Sequence, residues 1–330
     1  MEDTKKKMLT GFRPTGRLHL GHLHGNIENM IAYQNEYENF FFLVDWHALS
    51  TEYLNPKSIK SNLIECLIDL LSLGVDPERT HLYRQSDIPE VSELTLYFSM
   101  ITPLPWLERC PTYKEQVKEL KSRDISTLGF LSYPVLMAAD ILIVNAEIIP
   151  VGEDQLPHLE ITREIARRFN YLYGEYFVEP QAMLSHATKV PGIDGRKMSK
   201  SYNNAIFLGD DYQTIKGKIR MMVTDPQRIH PTDPGHPDIC NVFSFYKIYR
   251  EAVDIEEIEK RCKEGKIGCT NCKDEIASII YQSLEGFRTR RKELERNMDY
   301  IYQILEKGKN SVREIASRTI SDVRKKMGID

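Results

Sequence analysis

No stretch of this 330-residue chain approaches the roughly 20 consecutive apolar residues that a membrane-spanning helix needs. The opening Met1-Glu2-Asp3-Thr4-Lys5-Lys6-Lys7 lacks the apolar core of a secretory leader. Internal repeats and low-complexity tracts are missing as well. The formal net charge is −4, so there is no chain-wide excess of positive charge. Indiscriminate nucleic-acid binding is therefore excluded as the main activity, and any polyanion must be met locally. With 41% hydrophobic residues, the chain is expected to be globular and cytoplasmic, with two domains or one large domain carrying an inserted subdomain. Disulfides are not expected in that compartment, although six cysteines are present.

Lys7-Met8-Leu9-Thr10 reads as a short strand, and Gly11 and Pro14-Thr15-Gly16 as breakers. A helical pattern then runs from about Gly21 to Tyr33. Gly11, Gly16, Gly21 and Gly25 leave little side-chain bulk, so a base and ribose can lie against main chain with the helix N-terminus facing a phosphate. His19 and His22, in His19-Leu20-Gly21-His22, can donate to phosphate oxygens as charge develops. Far along the chain, Pro191-Gly192-Ile193-Asp194-Gly195-Arg196-Lys197-Met198-Ser199-Lys200-Ser201 reads as a mobile basic loop. Arg196, Lys197 and Lys200 can neutralise a departing pyrophosphate, with the serine hydroxyls adding hydrogen bonds. Together the two stretches describe an ATP-activating site.

Phe40-Phe41-Phe42-Leu43-Val44-Asp45 is a buried-strand pattern ending at Trp46-His47. The following helix, apolar at Ile59, Leu63, Cys66, Leu67, Leu70 and Leu71, stops at Gly74, and Thr80–Arg84 is the next strand. This alternation predicts a parallel sheet covered on both faces, with ligands at the carboxyl ends of its strands. Ser132 is a candidate N-cap with Pro134 in the first turn, so Tyr133, Met137 and Asp140 share one helix face. Beyond about Tyr202 helical patterns dominate. A last helix is expected to open at the capping box Ser311-Val312-Arg313-Glu314 and to be apolar at Val312, Ile315, Thr319, Val323 and Met327. Residues 286–330 carry 12 Lys and Arg against 7 Asp and Glu, including Arg288, Arg290, Arg291 and Lys292, a cluster that can meet phosphates.

Cys66 and Cys110 read as core or near-surface thiols. Cys240, Cys262, Cys269 and Cys272, interspersed with Gly265, Gly268 and Asn271, have the loop character of a tetrathiolate metal site. Four thiolates suit zinc or an iron–sulfur cluster, and spacing does not separate them.

The His19–His22 and Lys197–Ser201 stretches resemble the two signatures of class I aminoacyl-tRNA synthetases. Gly11-Phe12-Arg13-Pro14-Thr15-Gly16, Tyr133–Leu142 and Pro150-Val151-Gly152-Glu153-Asp154-Gln155 make the chain similar, over nearly its whole length, to the tryptophanyl-tRNA synthetases of that class. The resemblance implies an α/β fold, a Rossmann-like parallel-sheet catalytic domain over 1–203 that binds ATP and tryptophan. It also implies an α-helical anticodon-binding domain over 204–309, and a helix over 310–330 packed back on the catalytic domain.

Its implied chemistry is activation of L-tryptophan by Mg2+-ATP to the adenylate, with loss of pyrophosphate and transfer to the terminal ribose of tRNA(Trp). His19, His22, Lys114, Lys197 and Lys200 would act by placing charge around the phosphates. Arg13, Thr15, Gly21, Gly152, Asp154, Met198 and Ser199 would hold ATP. For tryptophan, Asp140 would read the indole N–H, Met137 the ring, Tyr133 and Gln155 the amino group, with His47 supporting the pocket. The cysteine spacing is similar to that of family members with a four-iron four-sulfur cluster, the metal expected here over Zn2+, and the family implies a homodimer. Rival readings are a tyrosyl-tRNA synthetase, another nucleotidyltransferase with this histidine signature, and a non-catalytic RNA-binding regulator.

Overall fold

The computed structural model describes residues 5–14, 16–111, 127–184, 190–252 and 254–330. They group into two compact units. The first comprises Met1–Gly16, Met30–Ser185 and Leu294–Asp330, and the second Arg17–Asn29 and His186–Glu293.

The first unit is built on a five-stranded parallel sheet of β1 (Lys7–Phe12), β2 (Glu38–Leu43), β3 (Thr80–Arg84), β4 (Ile148–Val151) and β5 (Gln181–Leu184), in the order β3-β2-β1-β4-β5. Lys7 pairs with Glu38, Asn39 with Thr80, and Ile148 with Met8 and Gln181. The order reverses between β1 and β4, so the carboxyl ends of those strands flank the crevice where open α/β sheets hold ligands. From Phe40 onward β2 can be an unbroken apolar run because it is covered on both faces. Phe40, Phe41 and Leu43 are 0–2% exposed. The helix Ile59–Leu73 ends where expected, with Gly74 at φ 108°, a left-handed cap that glycine adopts without strain.

The core joins these strands to the helices Glu90–Ile101, Tyr133–Ile143 and Leu156–Tyr173. Phe169 lies 4.8 Å and Phe98 5.5 Å from Phe177, ring centroid to centroid, in edge-on contacts. The last helix belongs to this core through Val312, Ala316, Ile320 and Val323. Its start corrects the sequence reading. The helix runs Met298–Met327, with the Asn297 side chain accepting from the Tyr300 N–H. Ser311 lies inside it, bonded to His81 Nδ1 at 2.8 Å. The capping-box pattern loses because Ile301, Ile304 and Leu305 extend the apolar stripe more than two turns upstream, and burying that stripe outweighs a local cap.

At Gly308 the helix lies directly on β3, where a Cβ would overlap the Leu82 carbonyl. Arg324 bonds Glu93 at 2.7 and 2.8 Å, Arg313 bonds Glu90, and Thr319 donates to the Ile143 carbonyl at 2.8 Å. Gly308→Ala is expected to push the helix off β3 and cost about 1–3 kcal/mol. Gly286→Ala, at a position open to solvent, should cost nothing. Thermal melts of the two variants compared with the parent check this.

Candidate active site

In the first unit, the carboxyl ends of β2 and β3 and the helix Tyr133–Ile143 surround Asp140, a carboxylate 2% exposed. Its Oδ1 accepts from Gln85 Nε2 at 2.9 Å. Its Oδ2 accepts from the same nitrogen at 2.8 Å and lies 2.9 Å from His47 Nε2. Gln85 Oε1 in turn accepts the N–H groups of Trp46 (3.1 Å) and His47 (3.3 Å) at the start of the helix Asp45–Glu52. Asp45 accepts from the Ser86 hydroxyl at 2.5 Å and from the Ser86 and Trp46 N–H groups. Burial raises the pKa of Asp140, while His47 and Gln85 pull it back down. A carboxylate so placed is a strong acceptor for an N–H brought to it away from water.

Tyr133 opens the same helix, its hydroxyl bonded to His158 Nε2 and its ring 6.4 Å, centroid to centroid, from that of His47. Burial lowers the His158 pKa to about 4 and raises that of Tyr133, so at neutral pH both are uncharged. Met137 is partly buried against the core. Tyr133, Asp140 and His47 are thus brought together. Gln155 instead donates to Asp154 Oδ2 at 2.9 Å, in the turn after β4. Gly152 lets Asp154 fold close to the main chain there, since a Cβ would meet Asp154 Oδ1 at 2.6 Å and displace that side chain. Arg13, after β1, donates to the Thr51 hydroxyl. Thr15 and Lys114 lie outside the described residues. The sequence reading missed Gln85, Ser86 and His158. Gln85-Ser86 directly follows β3, a strand end, and that position was the available signal.

In the second unit, His19 caps a short helical turn, Leu20–His22, that continues as the π-helical segment Leu23–Ile27. The His19 and His22 rings lie 3.7 Å apart, centroid to centroid, tilted by 34°, and the His19 backbone N–H donates to His22 Nδ1 at 3.1 Å. Leu20 N–H bonds the Ile206 carbonyl and Leu208 N–H the Leu18 carbonyl, each at 3.0 Å. This ties the first signature to the chain just past the second. Gly21 fits closely, since a Cβ would come 3.0 Å from the His19 ring and 3.3 Å from Met198 Cβ.

The basic segment is more ordered than its composition predicts. Pro191 bridges Lys197, the Met198 N–H bonds the Val190 carbonyl, and Lys200–Tyr202 forms a 3-10 turn. Buried Asn204 staples it, accepting from the Ser199 N–H (2.8 Å) and donating to Asp194 Oδ1 (2.8 Å) and the Lys197 carbonyl (3.1 Å). Arg196 is spent on Asp194 and the Tyr202 ring, whereas Lys197 is exposed.

Cys240, Cys262, Cys269 and Cys272 line one small cavity together with Arg228 and Ile267. Arg228 Nη1 lies 3.8 Å from Cys269 Sγ, and its buried Nε has no partner among the described residues. A Cβ at Gly235 would meet Cys262 Sγ at 2.5 Å. Burial raises the pKa of Cys262, and that of Cys272 to about 12. Among the described residues no three Cys, His, Asp or Glu form a ready metal-ligand group, so the thiols share a void without being drawn into ligation geometry. Of the basic cluster, Arg291 is buried and Arg288 stacks 3.6 Å over Tyr281, leaving Arg290 and Lys292 exposed.

Burial, with Lys200 nearby, lowers the His19 pKa to about 4; burial, His19 and Lys200 lower that of His22 to about 3. Both are neutral at pH 7, so they offer N–H donors rather than the positive charge expected from the sequence. Protonation then favours the unfolded chain: the stability that each neutral histidine supports is complete above about pH 6.5 and is lost as the pH falls toward 4. By pH 5 the loss should be about 1–2 kcal/mol per histidine. Urea melts of His22→Gln at pH 7 and pH 5 should differ by about that much less than those of the parent.

Residues 1–285 match the family model described as "tRNA synthetases class I (W and Y)". The chain is 44% identical to the tryptophan–tRNA ligase of Thermotoga maritima, over 98% of this chain and 99% of that one. It is 41% identical to that of Aquifex aeolicus, over 98% of this chain and all of its relative. The structure superposes on tryptophanyl-tRNA synthetase from Campylobacter jejuni, solved with ADP and tryptophan, with a TM-score of 0.90 at 34% identity, covering 98% and 99% of the two chains. A tyrosyl-tRNA synthetase from Archaeoglobus fulgidus, at 20% identity and TM-score 0.67, shares the fold. The chain belongs to the class I tRNA synthetase family, on its tryptophanyl-tRNA synthetase branch.

Proposed function

We propose that the protein joins tryptophan to tRNA(Trp) in two steps. The tryptophan carboxylate attacks the α-phosphate of Mg2+-ATP in line, pyrophosphate leaves, and the aminoacyl group passes from the adenylate to the terminal ribose hydroxyl of the tRNA. The observation that carries this reading is the buried Asp140 carboxylate held by Gln85 and His47. It suits a ring N–H and is mismatched to a phenyl side chain, which would leave the charge unpaired. Met137 supplies ring contact, and Tyr133 and Gln155 hold the amino group. Arg13, Gly152, Asp154, Gly21, Met198 and Ser199 hold ATP. His19 and His22 donate as neutral imidazoles to phosphate oxygens, and Lys197 and Lys200 bring the positive charge. In such a transfer, positioning and electrostatics dominate the rate. The helical residues after 203 would meet the anticodon, with Arg290 and Lys292 among the cations free for phosphates.

The four cysteines fit a soft metal centre, for which a four-iron four-sulfur cluster is the reading and Zn2+ the alternative. Four thiols around one void suit either, and the unpartnered Arg228 N–H suits the negative charge of a tetrathiolate centre. Such a centre would fix the loops around Cys240 and Cys262 without taking part in the transfer. A homodimer is supported by Leu96, Met100 and Leu104, 53–65% exposed and four residues apart on and just after the helix Glu90–Ile101.

Tryptophan-dependent exchange of pyrophosphate into ATP, followed by charging of tRNA(Trp), tests the function; exchange driven by tyrosine instead would reject it. Lys197→Met should lower the activation rate by about 10²–10³-fold while the KM for tryptophan stays within about twofold. Protein purified without oxygen should carry about four irons and four sulfides per chain, against about one zinc for the alternative. Cys269→Ser should weaken tRNA charging more than adenylate formation, and equal loss in both would reject the division between them.

A further inference from the structure

Asp140 can read an N–H only if one of its lone pairs is left open and the group stays ionised. Gln85 bears on both conditions. It is 0% exposed, and both ends of its amide are used. Oε1 accepts the two N–H groups that open the helix Asp45–Glu52. Nε2 faces both Asp140 oxygens, at 2.9 and 2.8 Å. The opposite amide orientation would set a carbonyl against the carboxylate and an NH2 against two N–H donors, so the surroundings fix the amide one way round. The two Asp140 oxygens are then unequal. Among the described residues, Oδ2 faces Gln85 and His47, whereas Oδ1 faces Gln85 alone. A carboxylate oxygen takes about two donors in its plane, so the open position is on Oδ1.

We propose that Gln85 is the positioning residue for indole recognition, locking the Asp140 carboxylate so that Oδ1 is the oxygen that takes the ring N–H. This rests on the reading of Asp140 as the indole acceptor. An amide does not titrate, so Gln85 donates whatever the charge on His47. It also couples recognition to the backbone, because the same side chain that orients Asp140 anchors the first turn carrying His47. Without the Gln85 donor the buried carboxylate keeps only His47 to favour its charge, so it is more readily protonated, and a carboxylic acid both donates and accepts. It would then no longer distinguish an N–H from a group that lacks one.

The probe is the benzothiophene analogue of tryptophan, in which sulfur replaces the ring N–H. Pyrophosphate exchange is measured on the full chain with both amino acids, for the parent, Gln85→Met and Gln85→Glu. Both variants are close to glutamine in size, and Gln85→Glu keeps the acceptor for the Trp46 and His47 N–H groups. It therefore carries the test if Gln85→Met does not fold. For tryptophan, kcat/KM should fall by about 10- to 100-fold, almost all of it as a rise in KM, because the indole contact is made equally in ground and transition states. For the analogue kcat/KM should move less than about threefold, and the KM for ATP should not move. Asp140→Asn is measured alongside. If it and the Gln85 variants all lose selectivity, the proposal stands. Loss in Asp140→Asn with selectivity kept in the Gln85 variants, or an equal fall for both amino acids, overturns the role of Gln85 alone. Unchanged selectivity in Asp140→Asn overturns the indole reading and this proposal with it.

Discussion

The central strands of a parallel sheet leave no face for water, and most of the first unit follows from meeting that constraint. β2 can be almost wholly apolar only because helices lie on both of its sides. β3 is closed by a 30-residue helix from the end of the chain, which crosses at Gly308, where only hydrogen separates its backbone from the Leu82 carbonyl. With the buried stripe of Val312, Ala316, Ile320 and Val323, that close approach holds residues 294–330 in the first unit. Ion pairs with Glu90 and Glu93 sit on the exposed side of the contact and set its register more than its strength.

A covered sheet places its strand ends in a low dielectric, and there the polar residues divide into two kinds. Asp140 has donors from two directions, Gln85 and His47, which favour its charge against burial. At His158 burial outweighs the opposing pull of Asp154, and at His19 and His22 the nearby Lys200 adds to burial, so all three remain neutral. One principle, that a buried charge needs partners, thus separates a carboxylate ringed by donors in the first unit from neutral imidazoles in both units.

In the second unit the decisive contacts are made by small residues. Gly21 lets the histidine turn lie against Met198, and Gly192 leaves room for Asn204, whose side chain threads the basic segment. Gly235 does the same beside Cys262. A glycine-rich stretch of sequence reads as freedom, yet here the glycines permit close packing, which makes the segment ordered.

Much of the fold was legible because it rests on local rules. β3 and the helix ending at Gly74 were read from apolar periodicity and a cap, and Tyr133, Met137 and Asp140 from helical spacing. The two signatures and the cysteine set were legible as residue types at fixed spacing. The start of the last helix was misread, because a capping box is a local preference and the packed stripe upstream is a tertiary one. The roles of Gln85 and Asn204 were hidden for a similar reason: the strand end marks where Gln85 stands, but a lone amide in a sequence carries no sign of how many partners it will find. The sequence by itself determined the alternation of elements, the strand ends where ligands belong and the residues of both signatures, all fixed by spacing along one segment. Only the tertiary structure decided the charge state of the histidines, the donors gathered around Asp140 and the order of the basic loop. Each of these depends on burial and on donors contributed by residues distant in the chain.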